Sequence, residues 1–144
     1  MNRPIITALC ILMILLNISC SDEVIVEDAT CDGLEIIIDN DQYNSAPTDL
    51  LDIMDLSISD HCLMLSFGSS GCDGESWEVN LFDSGAILES LPIQRELILS
   101  LKNIEECDAY FVREYTFDLT NLQVEDNSVL LKITNVNREI LYQY

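Results

Sequence analysis

Serine, histidine and carboxylate side chains are the groups in this chain that could catalyse a hydrolysis, but none of them has a known catalytic spacing. Gly68-Ser69-Ser70-Gly71 does not match the G-x-S-x-G nucleophile elbow and instead predicts a turn. His61, the single histidine, follows Asp60 at the start of an apolar run, where a solvated turn residue is expected. With 26 Asp and Glu residues, some carboxyl pair will lie about 5 to 10 Å apart by chance. We therefore predict no catalytic residues and no enzymatic activity.

Metal ligands also lack a recognised pattern. Asp39-Asn40-Asp41-Gln42 begins like a calcium loop, but Tyr43, Asn44 and Leu50 stand where an EF-hand needs a ligand, a glycine and the closing glutamate. Zinc is disfavoured because the chain has one histidine and no C-x-x-C spacing. We predict no metal site and no cofactor, with an irregular calcium site through loop carboxylates as the alternative.

Cys20 has the context of a lipid attachment site. Residues 1–19 contain an early cation, Arg3, then an apolar stretch from Ile5 to Leu16, and end with the small Ser19. That stretch is shorter than the roughly 20 residues that a membrane-spanning helix needs. The pattern resembles the bacterial lipobox, in which the signal peptide is removed and the cysteine is lipidated. We predict a cleaved signal in residues 1–19 and a lipidated tether in residues 20–30; the alternative is an ordinary secretory signal that leaves Cys20 as a thiol.

The residues after Cys20 indicate where the anchored protein resides. Ser21-Asp22-Glu23 resembles the surface-export signal of Bacteroidota lipoproteins. We predict a lipid-anchored outer-membrane protein exposed at the cell surface, with the periplasmic face as the alternative.

Four of the six cysteines remain for disulfide bonds, because Cys10 leaves with the signal and Cys20 takes the lipid. A bond between Cys62 and Cys72 is disfavoured, since an extended strand between them would hold their Cα atoms more than about 7 Å apart. Two pairings remain. We favour Cys31 with Cys62 and Cys72 with Cys107, and the other joins Cys31 to Cys72 and Cys62 to Cys107. Buried free thiols are a further alternative.

The charge of the chain restricts its partners. Six Lys and Arg residues face 26 Asp and Glu residues, which gives a formal net charge of −20. Such a surface repels nucleic acid and anionic lipid headgroups. It could attract a cationic protein or peptide, although solubility alone also explains the acidity. We predict no nucleic-acid partner.

The hydrophobic period beyond the tether is two, which is typical of strands that bury one face. Alternation is clearest around Trp77, Val79 and Leu81, so Trp77 is expected in the core. Turn residues separate the runs at 40–47, 68–71, 83–85 and 126–127. Strands are predicted at 34–39, 52–58, 62–67, 76–82, 96–101, 110–117, 129–133 and 139–144. Residues 31–144 should form one antiparallel β-sandwich or small barrel of about 7 to 8 strands.

One segment could also form a helix. Leu50, Leu51 and Met54 would line one face of a helix beginning at Thr48. The alternation continues into the run from Asp52 to Ile58, and we therefore predict a strand there.

Residues 63–72, with the sequence LMLSFGSSGC, resemble the NigD-like family of small Bacteroidota lipoproteins. The resemblance extends to Cys107 after an acidic pair, to Phe117-Asp118-Leu119 and to the closing Tyr142-Gln143-Tyr144. It implies a β-rich extracytoplasmic lipoprotein of unknown activity in which Cys72 bonds Cys107. The family histidine that usually follows the Gly-Gly-Cys is absent from Asp73-Gly74-Glu75, so no role of that histidine is carried over.

We predict a non-catalytic binding or structural module with a saccharide or protein ligand. A saccharide would need exposed aromatic rings, for which the candidates are Tyr43, Tyr110, Tyr142 and Tyr144. The alternative is an acidic inhibitor or immunity-type protein that captures a cationic enzyme or peptide.

Overall fold

The computed structural model describes residues 31–144, which form nine strands and one short α-helix. The predicted signal, Cys20 and the tether lie outside the described residues. The strands are β1 (Leu34–Glu35), β2 (Ile37–Ile38), β3 (Asp52–Ser59), β4 (Cys62–Gly71), β5 (Glu78–Leu88), β6 (Gln94–Lys102), β7 (Ala109–Asp118), β8 (Ser128–Ile133) and β9 (Arg138–Gln143). The α-helix is α1 (Asn40–Ser45), and two 3-10 helices lie at Thr120–Leu122 and Thr134–Val136. No helix in residues 31–144 is long and apolar enough to cross a membrane.

The strands form two sheets, so the predicted all-β sandwich is confirmed and the barrel alternative is wrong. One sheet has the order β1-β7-β4-β3 and the other has the order β2-β5-β6-β8-β9. The expectation of purely antiparallel pairing is also wrong, because β1 pairs with β7, β2 with β5 and β6 with β8 in parallel. The parallel pair β6-β8 arises because β7 lies in the opposite sheet, and the chain returns to run beside β6 in the same direction.

The core lies between the two sheets. Leu63, Leu65 and Phe67 on β4 and the alternate residues Leu97 and Leu99 on β6 are almost completely buried. Trp77 is 7% exposed and its ring stacks near Phe67, which confirms that it belongs to the core. The period-two pattern therefore identified the buried face of these strands.

The helix occupies part of the predicted turn at 40–47. Asp39 caps it, because its Oδ1 accepts the N–H groups of Asp41 and Gln42, each at 2.9 Å. An aspartate cap satisfies N–H groups that have no partner within the helix. The segment from Asp52 forms β3, so the strand predicted there is confirmed.

Two turns predicted from small residues are wrong. The segment 68–71 continues β4, and 83–85 lies within β5. Gly68 is accommodated in the strand because the ring of Tyr110 lies across it. At 83–85 the pairing with β6 shifts register, and Gly85 adopts a φ of +77°, so the turn-type residues form a bulge instead.

The two disulfides lie at opposite ends of the sandwich. Cys31 bonds Cys62, the first residue of β4, and Cys72, just past its last residue, bonds Cys107. This is the pairing favoured from the sequence. Ten residues of extended chain span about 33 Å. We call the end with Cys31 the proximal end. The distal end comprises loops 47–51, 72–77 and 103–108 with the strand ends next to them.

Candidate functional site

The three distal loops are joined by covalent and hydrogen bonds. The disulfide links loop 72–77 to loop 103–108. The backbone N–H of Asn103 donates to Asp49 Oδ2 at 2.7 Å, and its side-chain Nδ2 donates to the carbonyl of Ser70 at 2.7 Å. Ser69 Oγ donates to the carbonyl of Leu50 at 2.7 Å. Asn103 thus ties loop 103–108 to loop 47–51 and to the end of β4, and the disulfide adds loop 72–77.

Glu105 occupies the centre of this arrangement. Its carboxylate accepts the N–H groups of Cys72, Asp73 and Gly74 and the hydroxyl of Ser76, the last at 2.8 Å. Burial raises the pKa of Glu105, but the hydrogen bonds from Ser76, Gly74, Asp73 and Cys72 lower it further, to about 2. Loop 72–77 is therefore an anion-binding backbone nest that the chain fills with its own carboxylate.

Apolar side chains are displayed at the distal end. Leu50 is 92% exposed and Ile104 is 69% exposed. They belong to different loops but follow Asp49 and Asn103, which are hydrogen-bonded to each other. Two apolar side chains are thus presented by neighbouring, tied segments.

Negative charge dominates the same end of the domain. The exposed carboxylates of the distal end are those of Asp49, Asp52, Asp73, Glu75, Glu78, Glu106 and Asp108. The two nearby cations are already engaged, because Lys102 Nζ lies 2.7 Å from Glu78 Oε1 and Arg113 donates to the carbonyl of Asp73. The distal end therefore presents a strongly anionic rim.

A second candidate surface is the outer face of the four-stranded sheet. The ring of Tyr110, half-exposed, covers Gly68, and its hydroxyl donates to Asp52 Oδ2 at 3.1 Å. Burial raises the pKa of Tyr110, and the hydrogen bond to Asp52 and the charge of Asp52 raise it further. The ring is thus held against the outer face of the sheet while about half of the residue remains exposed.

The other three candidate tyrosines have packing roles. Tyr142 is fully buried, and its hydroxyl lies 2.6 Å from Nδ1 of His61. The Tyr144 hydroxyl accepts the N–H of Val124 at 2.6 Å. The half-buried Tyr43 contacts Thr134 Oγ1 through its hydroxyl at 3.2 Å. Of the four aromatic candidates, Tyr110 alone is exposed enough to offer a ring face.

The residues considered for catalysis and metal binding have other partners. His61 lies in the turn between β3 and β4 as predicted, but it is half-buried against Tyr142 rather than solvated. Ser69 is buried and holds the carbonyl of Leu50. Within the part of the chain that the structure describes, no three His, Cys, Asp or Glu residues could hold a metal ion together. The calcium alternative stays a prediction.

Sequence reasoning missed Leu50, Ile104, Asn103 and Glu105. Leu50 and Ile104 are indistinguishable from core residues by type, since apolar residues in short runs are usually buried. In the sequence, Glu105 is distinguished only as one of the acidic pair before Cys107. A weak signal existed in Cys107, whose bond to Cys72 requires the acidic pair to lie against loop 72–77.

The fold is similar to that of proteins from Bacteroides. A Bacteroides vulgatus protein of unknown function, DUF1344, matches with a TM-score of 0.54 and 19% identity over 77% of this chain and 55% of that one. A NigD-like immunity protein from Bacteroides caccae matches with a TM-score of 0.53 and 10% identity over 76% of this chain and 58% of that one. This chain shares their fold.

The likeness is limited to the fold, because both identities are low. This chain spans little more than half the length of each of these structures. The sequence matches no protein-family model and has no significant match among curated proteins. The NigD-like resemblance of residues 63–72 thus agrees with the fold of one solved structure.

Proposed function

We propose that this protein is a lipid-anchored, non-catalytic binding protein of the outer membrane that captures a cationic protein or peptide, as an immunity-type protein does. The observation that carries the proposal is the anionic rim around the exposed Leu50 and Ile104. Attraction between opposite charges speeds the association of a cationic partner, and repulsion between like charges disfavours anionic partners. The NigD-like immunity protein with the same fold supports the same class of role.

The position of the distal end fits an anchored protein. The described chain begins at Cys31, at the proximal end, and Cys20 precedes it by a short tether. A lipid on Cys20 would hold the proximal end toward the membrane and leave the distal end facing away. Soluble cationic partners would therefore reach the anionic distal surface before they reach the membrane.

Salt-dependent capture tests the binding function. Residues 21–144, with both disulfides formed, would be immobilised and exposed to purified cationic and anionic proteins at low and high salt. We expect retention of cationic proteins at low salt and their release at high salt. Glu106→Gln with Asp108→Asn should weaken retention. The matched proximal pair, Glu125→Gln with Asp126→Asn, should weaken it less. Equal effects of the two pairs would contradict a distal site.

The anchor is tested separately. We expect the protein extracted from membranes to start at Cys20 and to carry the added mass of acyl chains, which Cys20→Ser should abolish. Protease treatment of intact cells distinguishes the cell surface, where the domain is cleaved, from the periplasmic face, where it is protected.

A saccharide ligand is the second candidate function, and Tyr110 favours it. A sugar ring could stack on the open face of its aromatic ring, which Gly68 and Asp52 hold in place. Binding of neutral cell-surface glycans that persists at high salt and is lost in Tyr110→Ala would support this candidate. Unchanged glycan binding in Tyr110→Ala would reject this ring as the platform.

A further inference from the structure

We propose that Leu50 and Ile104 are the contact residues of the distal end, and that they enter an apolar pocket ringed by Lys and Arg on a cationic protein partner. This inference rests on the proposed function and names the surface that would perform it. It predicts that apolar contact, and not charge alone, determines which cationic protein is bound.

Two exposed apolar side chains on hydrogen-bonded neighbouring loops differ from scattered ones. Isolated apolar residues are common on protein surfaces, whereas adjacent ones surrounded by polar groups mark contact sites. Leu50 and Ile104 come from loops that are distant in sequence and are joined by the 2.7 Å bond between Asn103 N and Asp49 Oδ2. Leu91 is 97% exposed too, but it lies at the proximal end, where it lines a pocket with Leu141, Glu125 and Asp126 and is therefore the comparison site for the distal pair.

The backbone around both residues is held in place before any partner binds. The carbonyl of Leu50 accepts Ser69 Oγ, and Asp49 N donates to the carbonyl of Leu101 at 3.0 Å. Ile104 stands between Asn103 and Glu105, and Glu105 N donates to Asn103 Oδ1 at 2.9 Å. A contact surface that is already ordered loses little conformational entropy on binding.

The charge of the distal end indicates which kind of partner can bind there. An apolar centre with a polar rim is the common anatomy of a protein interface. The carboxylates of Asp49, Asp73, Glu106 and Asp108 would repel a second copy of this chain, whose net charge is −20. They would also repel anionic headgroups. A cationic partner is the occupant whose charge complements this rim.

Two short peptides test the apolar contact. One alternates Lys with Leu and the other alternates Lys with Ser, so they share charge and length. We expect the wild-type domain to bind the Lys/Leu peptide at least about tenfold more tightly, since burying a Leu-sized side chain contributes about 1.5 to 3 kcal/mol. The double variant Leu50→Ser with Ile104→Ser should remove this preference and leave binding of the Lys/Ser peptide unchanged. Leu91→Ser is the matched control and should retain the preference.

The outcomes separate the inference from the proposed function. If both peptides bind and are released by salt, but the double variant keeps the full preference, the apolar contact is wrong and electrostatic capture stands. If Leu91→Ser also removes the preference, the Leu side chains are bound nonspecifically and the inference is wrong. If neither peptide binds the wild-type domain, the proposed function fails and the inference fails with it. Thermal unfolding of each variant verifies that it is folded, as expected for exposed positions.

Discussion

The carboxylate of Glu105 accepts the backbone N–H of Gly74 through both oxygens, at 3.1 Å to Oε1 and 3.0 Å to Oε2. Gly74 has a φ of +74°, a conformation that favours glycine, and it turns the loop so that its N–H faces Glu105. This contact couples the loop after β4 to the loop after β6. The distal surface therefore depends on an ionised carboxylate.

Glu105→Gln should make the domain less stable at neutral pH. Burial raises the pKa of Glu105, and hydrogen bonds to its carboxylate lower it more, to about 2 in the folded protein against an ordinary value of 4.5. Between these two pKa values, Glu105 is therefore mostly protonated in the unfolded chain and mostly ionised in the folded one. The stabilisation by the ionised Glu105 is complete above a pH of about 4.5 and is lost as the pH falls toward about 2.

Urea unfolding of wild type and variant across this pH range measures the effect. The difference in unfolding free energy should shrink as the pH falls below about 4.5. Glu106→Gln is the matched control, since this exposed neighbour removes the same charge from the same loop. A difference for Glu105→Gln that stays constant with pH would contradict the role of the carboxylate.

Asp83→Asn should destabilise the domain by about 3 to 5 kcal/mol, because it leaves the buried guanidinium of Arg95 without its counter-charge. Asp83 Oδ2 accepts Arg95 Nε at 2.9 Å and Oδ1 accepts Nη2 at 3.0 Å, and both residues are buried. Glu78→Gln breaks the exposed pair with Lys102 and should cost less than about 1 kcal/mol. Urea unfolding measures the free energy lost in each variant. Similar losses in Asp83→Asn and Glu78→Gln would show that burial does not control the energy of an ion pair.

Removal of either disulfide should lower the unfolding free energy by about 4 kcal/mol in the chain-entropy model, because the bonds close loops of similar length. The paired cysteines are 31 residues apart for Cys31 with Cys62 and 35 for Cys72 with Cys107. Double serine variants and urea unfolding measure this. At a temperature where both variants are folded, only the loss of Cys72–Cys107 should weaken capture of cationic proteins. Equal weakening by both would argue against the distal site.

Gly68→Ala should displace the ring of Tyr110, since the added methyl group would overlap its hydroxyl end. Burial raises the pKa of this tyrosine, as do the hydrogen bond to Asp52 and the charge of Asp52. Its pKa should therefore fall toward the ordinary value of 10.0 in Gly68→Ala and in Asp52→Asn. NMR titration of the ring signals measures the change. Ser66→Ala, two residues earlier on β4, is the control, and an equal shift there would contradict the assignment.

The period-two pattern was sufficient to predict an all-β fold and its main strands, but it left a sandwich and a small barrel both open. Trp77, Val79 and Leu81 alternate in the sequence and are buried in the structure, because a strand with one solvated face imposes that spacing. Small-residue turn signals were less reliable. Segments 68–71 and 83–85 stay in strands because a covering tyrosine and a bulge use the same glycines that a turn would use.

The parallel pairings could not be read from the pattern. Alternation indicates which face of a strand is buried, but it does not give the direction of the neighbouring strand. The candidate site was equally hidden, because Leu50 and Ile104 are far apart in the sequence and are joined through Asp49 and Asn103.

The sequence by itself determined the charge, the β-rich fold class and the four cysteines available to the domain, because these follow from composition, period and parity. Only the tertiary structure decided which strands are neighbours and which apolar residues stay outside the core. Leu50 and Leu51 are chemically identical, yet Leu51 packs against the core and Leu50 is exposed. Burial depends on the direction of a side chain in the folded loops, which is set by contacts between residues far apart in the chain.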